Sequence, residues 1–209
     1  MDGESKRKLS KRKDPELSLD FYHSKGYPVL SVIEYLLTLL NSNFEDWRRQ
    51  NQNLSYEKFP FSAKKMSVSG SLFDTDKLND VSKNVIALMD EETVYNNVLE
   101  WAKLYDEEFY KLLYSNPSYA KSIFAIGRGG KKPRKDISSW DEVKAYMGFF
   151  YDEYFKAEYE FPQNVSKENI LKILELYKNL YDENQDMNSW FETICNLSEK
   201  IGFASSTKE

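Results

Sequence analysis

The sequence is poor in the residues that build covalent or metal-based frameworks. Its 209 residues include one cysteine, Cys195, and one histidine, His23. A single thiol excludes a disulfide framework, and one cysteine with one histidine leaves no ligand set for a zinc site. No metal site is therefore predicted, and a reducing compartment, the cytoplasm, is the expected location.

Long apolar runs and strand patterns are also missing. No apolar stretch approaches the roughly 20 residues that a membrane-spanning helix needs, and the first residues are too charged for a secretory signal. The sequence has no hairpin signal, no extended alternation of apolar and polar residues and no sustained heptad repeat. The predicted fold class is all-α, built from antiparallel helical pairs rather than one continuous coiled coil.

Aromatic residues and helix signals, by contrast, are plentiful. Aromatic residues make up 15% of the chain, which predicts an ordered core. Asp14 and Pro15 are typical of a helix start and Gly26 of its end, and Pro28 opens a second helix. The apolar residues of this second helix recur every three or four positions and are predicted to form its buried stripe: Val29, Val32, Ile33, Leu36, Leu37 and Leu40.

Further helices are predicted along the chain. Asp74 and Ser166 each cap one, and Asn116-Pro117 separates two others. The segment from Ser138 to Glu142 opens a helix that is predicted to run through Tyr154. Aromatic stripes on these helices are interpreted as core positions rather than as ligand cages.

Positive charge is concentrated in two short stretches of an acidic chain. The formal net charge is −5. Residues 1–13 hold +4 and residues 128–135 hold +5, so the remainder carries −14. An acidic body with two local cationic patches suits a protein that docks a nucleic acid in one defined pose. The alternative, that either patch is a solvated loop, stays open.

The second basic stretch, Gly127 to Lys135, has the glycines of a phosphate-binding Walker loop but not its pattern. Ala125 occupies the first glycine position, and Lys132 replaces the serine or threonine. We interpret the stretch as a flexible basic connector whose cations contact RNA phosphates. Together with a loop-rich segment before it, this stretch supplies the candidate RNA-binding residues, which are Lys64, Lys65, Arg128, Lys131, Lys132, Arg134 and Lys135.

The first basic stretch carries a family signature. Six of the eight residues from Lys6 to Lys13 are basic, and a helix start follows directly. A cationic loop beside a helix N-terminus is suited to grip phosphate. The core of this stretch, Lys8-Leu9-Ser10-Lys11-Arg12, resembles the lysine-rich KMSKS loop of class I aminoacyl-tRNA synthetases, in the KLSKR form of the glutamyl-tRNA synthetases.

Two further segments carry the same resemblance. Phe21 to Pro28, followed by Val32 to Leu37, is similar to the family's YxxxGYxPxAxxNYL segment, and Phe73 to Leu78 is similar to its FDxxKL stretch. The chain departs from the pattern where Pro28 lies one position early and where Glu34 replaces the usual asparagine. Beyond about Asp90 only the general helical character matches.

This resemblance implies a role for the loop and a division of the chain. In the family the loop closes over ATP, which assigns the ATP phosphates to Lys11, with Lys8 and Ser10 as its partners. Residues 1–13 are then the end of the catalytic domain, residues 14–90 a helical stem-contact domain, and residues 91–209 an incomplete helical anticodon-binding region. A helical continuation favours the bacterial glutamyl type, because the archaeal and eukaryotic glutamyl enzymes and the glutaminyl enzymes use β-barrels there.

The implied activity belongs to the full enzyme. It is ATP-dependent, Mg²⁺-assisted activation of glutamate followed by its transfer to tRNA, with glutamate tRNA as the partner. A Rossmann domain with a HIGH signature precedes the loop in the family, and His23, which follows the loop, cannot supply it. The 209 residues are therefore expected to be inactive alone and to hold no cofactor. Two alternatives stay open: a stand-alone, non-catalytic helical module for RNA or protein, and a glutaminyl or class I lysyl enzyme.

Overall fold

Helices form the whole of the regular structure that is described. The computed structural model describes residues 13–66, 71–157, 160–161 and 165–203, which form ten α-helices, several 3-10 turns and no strand. The prediction of an all-α fold is therefore confirmed. Within the same ranges, no helix is long and apolar enough to cross a membrane. The chain divides into two compact units, residues 1–155 and residues 156–209.

The first unit contains eight of these helices, several of which start at a capping side chain. Asp74, Asp90, Asp106 and Asn116 each accept the backbone N–H of the third residue of the helix that follows, which satisfies a donor that the helix cannot pair internally. The bounds are α1 Leu19–Lys25, α2 Val29–Leu40, α3 Phe44–Gln50, α4 Thr75–Ala87, α5 Glu91–Tyr105, α6 Glu107–Ser115, α7 Pro117–Ala125 and α8 Val143–Met147.

The first helix begins later than the sequence predicts. Pro15–Leu17 form a 3-10 turn, and α1 starts only after Ser18, whose hydroxyl accepts the backbone N–H of Asp20. The predicted end is confirmed, because Gly26 follows α1 in the left-handed conformation, with φ 76°. The serine therefore takes over the capping role that the sequence assigns to Asp14.

The buried face of α2 also differs from the predicted apolar stripe. Its buried residues are Ser31, Glu34 and Tyr35, whereas Val29 and Leu36 are 67% and 47% exposed. Val32, Ile33 and Leu37 of the predicted stripe are partly buried. Apolar spacing therefore identifies the helix and part of its inward face but misses its most buried residues.

The reason is the close crossing of α2 and α4. The Ser82 hydroxyl on α4 donates to the Ser138 carbonyl at 2.6 Å and lies 3.0 Å from the Ser31 hydroxyl on α2. All three serines are buried. Small side chains let the two backbones approach, and the hydroxyls satisfy one another within the contact, so polar residues rather than leucines mark the crossing.

The long helix predicted from Ser138 through Tyr154 is broken into short pieces. The 3-10 turns Trp140–Glu142 and Gly148–Phe150 flank α8. Trp140 is buried, and its backbone N–H donates to the carbonyl of Gly26 at 3.0 Å, so a contact far along the chain sets the geometry of this start.

A cluster of buried hydrophobic residues lies around α5, which packs against both α6 and α7. Because these three helices follow one another with one-residue connections, neighbours in sequence are neighbours in space. The fully buried members of the core include Val94, Val98, Ala102, Phe109, Leu113, Ala120, Val143 and Met147.

The predicted division after residue 90 falls inside the first unit. The indole N–H of Trp101 on α5 donates to the Ser24 carbonyl at the end of α1 at 3.0 Å, and Lys25 pairs with Asp141 at 2.9 Å. Residues from both sides of the predicted division therefore pack together, and the boundary between compact units lies after Phe155.

The second unit is a pair of helices. α9 spans Lys167–Lys178 and α10 spans Met187–Lys200. The side chain of Ser166 accepts the N–H of Asn169, which confirms the predicted cap of α9. The two helices pack on each other, with the Trp190 indole N–H donating to the Tyr177 hydroxyl at 2.8 Å.

Candidate nucleic-acid interface

The two groups of residues predicted from the basic stretches have different outcomes. The phosphate-loop residues Lys8, Leu9, Ser10, Lys11 and Arg12 lie outside the described residues, so their role stays a prediction. The second basic stretch is described in full and follows the C-terminal end of α7. The candidate interface is therefore built around this second stretch.

Residues 127–134 form a loop that is closed by its own backbone. The N–H of Arg134 donates to the carbonyl of Gly127 at 2.9 Å, and Gly127 has φ 66°. A Cβ at this glycine would lie 2.4 Å from Cδ of the flexible Arg134 side chain, so the positive φ rather than this contact favours glycine here.

Arg128 anchors this loop to two helix ends. Its Nη1 donates to the carbonyl of Ile86, in the last turn of α4, at 2.7 Å and to that of Met89, just beyond α4, at 3.1 Å. Its Nε donates to the carbonyl of Phe124 in α7 at 2.9 Å. A cation is favourable there because helix C-termini carry partial negative charge. Burial lowers the pKa of Arg128 from its ordinary value. This guanidinium, predicted to contact RNA, is engaged in packing.

Of the other four cations in the stretch, one is paired with an acidic residue and three are exposed. Arg134 pairs with Asp136 at 2.6 Å. Lys131, Lys132 and Lys135 are exposed, and none has an ion-pair partner in the part of the chain that the structure describes. These three lysines are therefore the members of the predicted set that the anchored loop presents to solvent.

Lys64 and Lys65 lie elsewhere in the first unit. They belong to the exposed 3-10 turn Ala63–Lys65. They do not line the groove that the three lysines border. The structure thus brings Lys131, Lys132 and Lys135 together and leaves this second pair apart.

A groove with a volume of about 1310 Å³ runs beside the three lysines. It is lined by α2, α3, residues 52–56, the C-terminal part of α4 and loop residues 130–135. Sequence reasoning missed several of its polar side chains, which come from separate elements and share no motif: Arg49, Gln52, Asn53, Tyr56 and Asn84.

The Glu34–Arg48 ion pair supports the part of the groove formed by α2 and α3. Nη2 and Nε of Arg48 donate to the two carboxylate oxygens of Glu34 at 2.6 and 3.1 Å, and both side chains are largely buried. Arg48 also donates to the carbonyls of Asn51 at 3.0 Å and Leu54 at 2.7 Å, which holds the segment after α3 in place. Burial raises the pKa of Glu34, although the charge and hydrogen bonds of Arg48 act in the opposite direction.

The described residues contain no group of His, Cys, Asp and Glu that could hold a metal ion. The acidic side chains at the groove are neutralised, since Glu34 pairs with Arg48 and Glu45 pairs with Lys77. Fold and groove together define an all-α protein with a groove of net positive charge, and such a surface attracts an anionic polymer.

Comparison with known proteins gives the family. The chain is 46% identical to the glutamate–tRNA ligase of Clostridium perfringens (strain 13 / Type A) over 213 aligned residues, which cover 100% of this chain and 39% of that protein. It is 46% identical to the Acetivibrio thermocellus enzyme of the same name, covering 100% of this chain and 38% of that one. The Sorangium cellulosum enzyme is 38% identical, over 99% of this chain and 36% of its own length.

No family model matches the chain, and no solved structure matches it. The relatives are aminoacyl-tRNA ligases, and the match lies in their C-terminal region. The chain belongs to the glutamate–tRNA ligase family, as the three sequence motifs predict. It spans about two-fifths of the length of the curated relatives it matches.

Proposed function

We propose that this chain is the tRNA-binding part of a glutamate–tRNA ligase. The observation that carries the proposal is the match of the whole chain to the C-terminal region of such ligases. In the complete enzyme, ATP and Mg²⁺ would support activation of glutamate and its transfer to glutamate tRNA, with Lys11 on the ATP phosphates. The work would take place in the cytoplasm, where tRNA is charged.

The groove supports the tRNA part of this proposal. Its exposed lysines, Lys131, Lys132 and Lys135, lie on a loop fixed to α4 and α7, so they meet a ligand from a defined position. Lysines that neutralise phosphates release counterions, which makes affinity fall as salt rises. Lys64 and Lys65 would add phosphate contacts outside the groove. In this proposal residues 14–90 face the tRNA stem and residues 91–209 the anticodon side.

Binding of glutamate tRNA, compared with that of an unrelated tRNA at two salt concentrations, tests the function. We expect tighter binding of glutamate tRNA, and equal affinity for every RNA would contradict the anticodon part of the proposal. Lys131→Ala/Lys132→Ala should weaken binding and reduce the slope of log affinity against log salt by roughly one to two. The control Lys103→Ala/Lys111→Ala removes two exposed lysines that do not line the groove and should leave the slope unchanged.

We further propose that the 209 residues alone form no glutamyl adenylate. The described residues are helical, whereas a Rossmann nucleotide-binding domain is built on a parallel sheet. Pyrophosphate exchange with ATP and glutamate is the measurement, and exchange by the purified chain above a blank would contradict this statement.

A further inference from the structure

Helix α2 carries its apolar side chains on the side that faces away from α4. Its most buried residues, Ser31, Glu34 and Tyr35, all have polar groups. Four apolar residues recur on the opposite side at the spacing of one helix face, namely Val29, Ile33, Leu36 and Leu40. Val29, Leu36 and Leu40 are 67%, 47% and 37% exposed. A contiguous apolar surface of this kind marks a place where a protein binds something.

The segment before α4 adds to this apolar surface. The Ser71 hydroxyl donates to the Leu39 carbonyl at 2.9 Å, and the ring of Phe73 packs edge-on against Tyr35, with centroids 5.6 Å apart. Leu72 lies between these two contacts and is 68% exposed, so it stands beside α2. We call the following set the apolar face of α2: Val29, Ile33, Leu36, Leu40 and Leu72.

The apolar face of α2 has no charge, which separates it from the candidate RNA-binding surface. Glu34 is the only charged residue of α2, and it is buried against Arg48. The groove takes its residues from a different side of the helix, namely Leu30, Glu34 and Thr38. Binding of RNA depends on cations that neutralise phosphates, so an uncharged apolar face is suited to a protein surface instead.

The family relationship supplies such a protein surface. The larger part of each related ligase precedes the region that matches this chain. The described chain enters the first unit beside α1, where the Tyr22 hydroxyl donates to the Glu16 carbonyl at 2.7 Å and Asp14 is buried. Residues 26–28 alone join α1 to α2. A domain attached at this entry point would be held near α2 at a high effective concentration.

We propose, on the basis of the proposed function, that the apolar face of α2 docks against the part of the complete ligase that precedes this chain. Apolar side chains of that preceding part would cover the face and remove it from water. Because α2 contributes to both surfaces, docking would fix the orientation of the groove relative to the catalytic part of the enzyme. RNA bound in the groove would then reach that part in one defined pose.

Cysteine labelling tests whether the face is covered. Val29→Cys and Leu36→Cys, each in a Cys195→Ser background, are compared between the 209-residue chain and the complete ligase that contains it, without RNA. Modification by a maleimide is quantified for each peptide by mass spectrometry. Both cysteines should react about tenfold or more slowly in the complete ligase, because burial blocks access to the thiol. Leu104→Cys is the matched control, since Leu104 is 76% exposed on α5 and should react equally in both proteins.

Val29→Asp separates docking from folding. Val29 is the first residue of α2, where an acidic side chain is favourable, so the variant should not lower the thermal midpoint of the 209-residue chain. In the complete ligase the same aspartate would enter the docked surface without a partner. Limited proteolysis between this chain and the preceding part should then become about fivefold faster or more, because the docked state is populated less.

Four results would contradict one of the two proposals, and they can be told apart. Equal labelling of positions 29 and 36 in both proteins would overturn the docking proposal and leave tRNA binding by the 209-residue chain untouched. Protection that grows with the concentration of the isolated chain would assign the face to a second copy of this chain. Protection of the isolated chain by added glutamate tRNA would assign it to RNA. Protection in the complete ligase, with no tRNA binding by the chain, would contradict the tRNA-binding function alone.

Discussion

Gly26 joins α1 to the segment that carries Trp140, and its lack of a side chain makes the joint possible. A Cβ at this position would lie 2.5 Å from Cβ of Trp140 and 2.9 Å from Cδ1 of Trp101. The left-handed conformation adds a cost of its own for any residue other than glycine. Two separate penalties therefore act at this one position.

Gly26→Ala should lower the free energy of unfolding by about 2–4 kcal/mol, the sum of a conformational cost and an overpacking cost. Gly129→Ala is the matched control, because Gly129 has the same φ of 76° with nothing within 4 Å of the added carbon. It should cost only about 1 kcal/mol. Urea unfolding of both variants measures the difference, and equal losses would show that the contact with Trp140 does not constrain the fold.

Removing Arg48 from the Glu34–Arg48 pair is predicted to lower the free energy of unfolding by an amount that depends on pH. Arg48→Met leaves a buried carboxylate without its partner and should cost about 3–5 kcal/mol near neutral pH. Loss of Arg48 raises the pKa of Glu34 in the folded state still further above the ordinary 4.5. A raised carboxylate pKa stabilises the fold at low pH, and this contribution is lost as pH rises through the folded value. The deficit of the variant should therefore shrink as pH falls from about 8 to about 5.

Denaturant unfolding across this pH range is the measurement. Arg49→Met is the control, because Arg49 pairs with Asp46 on the surface and should cost within about 1 kcal/mol at every pH tested. Adding Glu34→Gln to Arg48→Met should remove the pH dependence. A deficit that grows on acidification would contradict the burial of Glu34.

At the scale of single elements, Asp106 caps the start of α6 and also pairs with Lys144. Asp106 accepts the N–H of Phe109 at 3.0 Å and the ammonium of Lys144 at 3.0 Å. Although partial burial acts against it, these two donors hold the pKa of Asp106 below its ordinary value. The carboxylate thus ties the start of α6 to α8.

Asp106→Ala should lower the free energy of unfolding by about 1–2 kcal/mol at neutral pH, the usual cost of losing a helix cap. Because the folded pKa is depressed, the stabilisation is present above the ordinary 3.8 and is lost as pH falls through the folded value. The deficit measured by urea unfolding should shrink on acidification. Asp106→Asn keeps a capping oxygen and should lose less than the alanine variant at neutral pH; an equal loss would assign the effect to charge alone.

Element positions were largely predictable, whereas buried faces were not. Asp74 and Ser166 cap their helices as predicted, and Asn116-Pro117 separates α6 from α7 as predicted, since these signals depend on residues that are close in sequence. The α2 face and the broken helix after Ser138 depend on Ser82 and Gly26, which lie far away in the chain. Local patterns contain no information about such pairs.

In the candidate site, too, features set by neighbouring residues were predictable and features set by distant contacts were not. Clustered charge predicted a cationic loop, and the exposed lysines at 131, 132 and 135 agree with it. The packing role of Arg128 could not be predicted, because two of its acceptors, Ile86 and Met89, lie about forty residues earlier. The only sequence signal for the Arg48 pair was the glutamate that replaces the family's usual asparagine at position 34.

At the scale of the whole molecule, the hydrophobic cluster around α5 lies within the first unit. The cluster runs from Ile86 to Tyr151, and the unit ends at Phe155. A chain of residues 1–155 should therefore unfold cooperatively, with a thermal midpoint close to that of the full chain's first unit. Circular dichroism melts provide the measurement. Loss of a cooperative transition would mean that residues 156–209 are required for folding of the first unit.

The buried pair between α2 and α3 sets a rule for exchanging segments with relatives. Suppose that α2 were replaced by the α2 of a relative with asparagine at position 34. The Arg48 guanidinium would then lose its carboxylate partner while still donating to the carbonyls of Asn51 and Leu54. One uncompensated positive charge would then sit under the groove. Chimeric ligases whose junction lies between Glu34 and Arg48 should be less stable than chimeras whose junction lies beyond Leu54, because in the latter both residues come from the same parent.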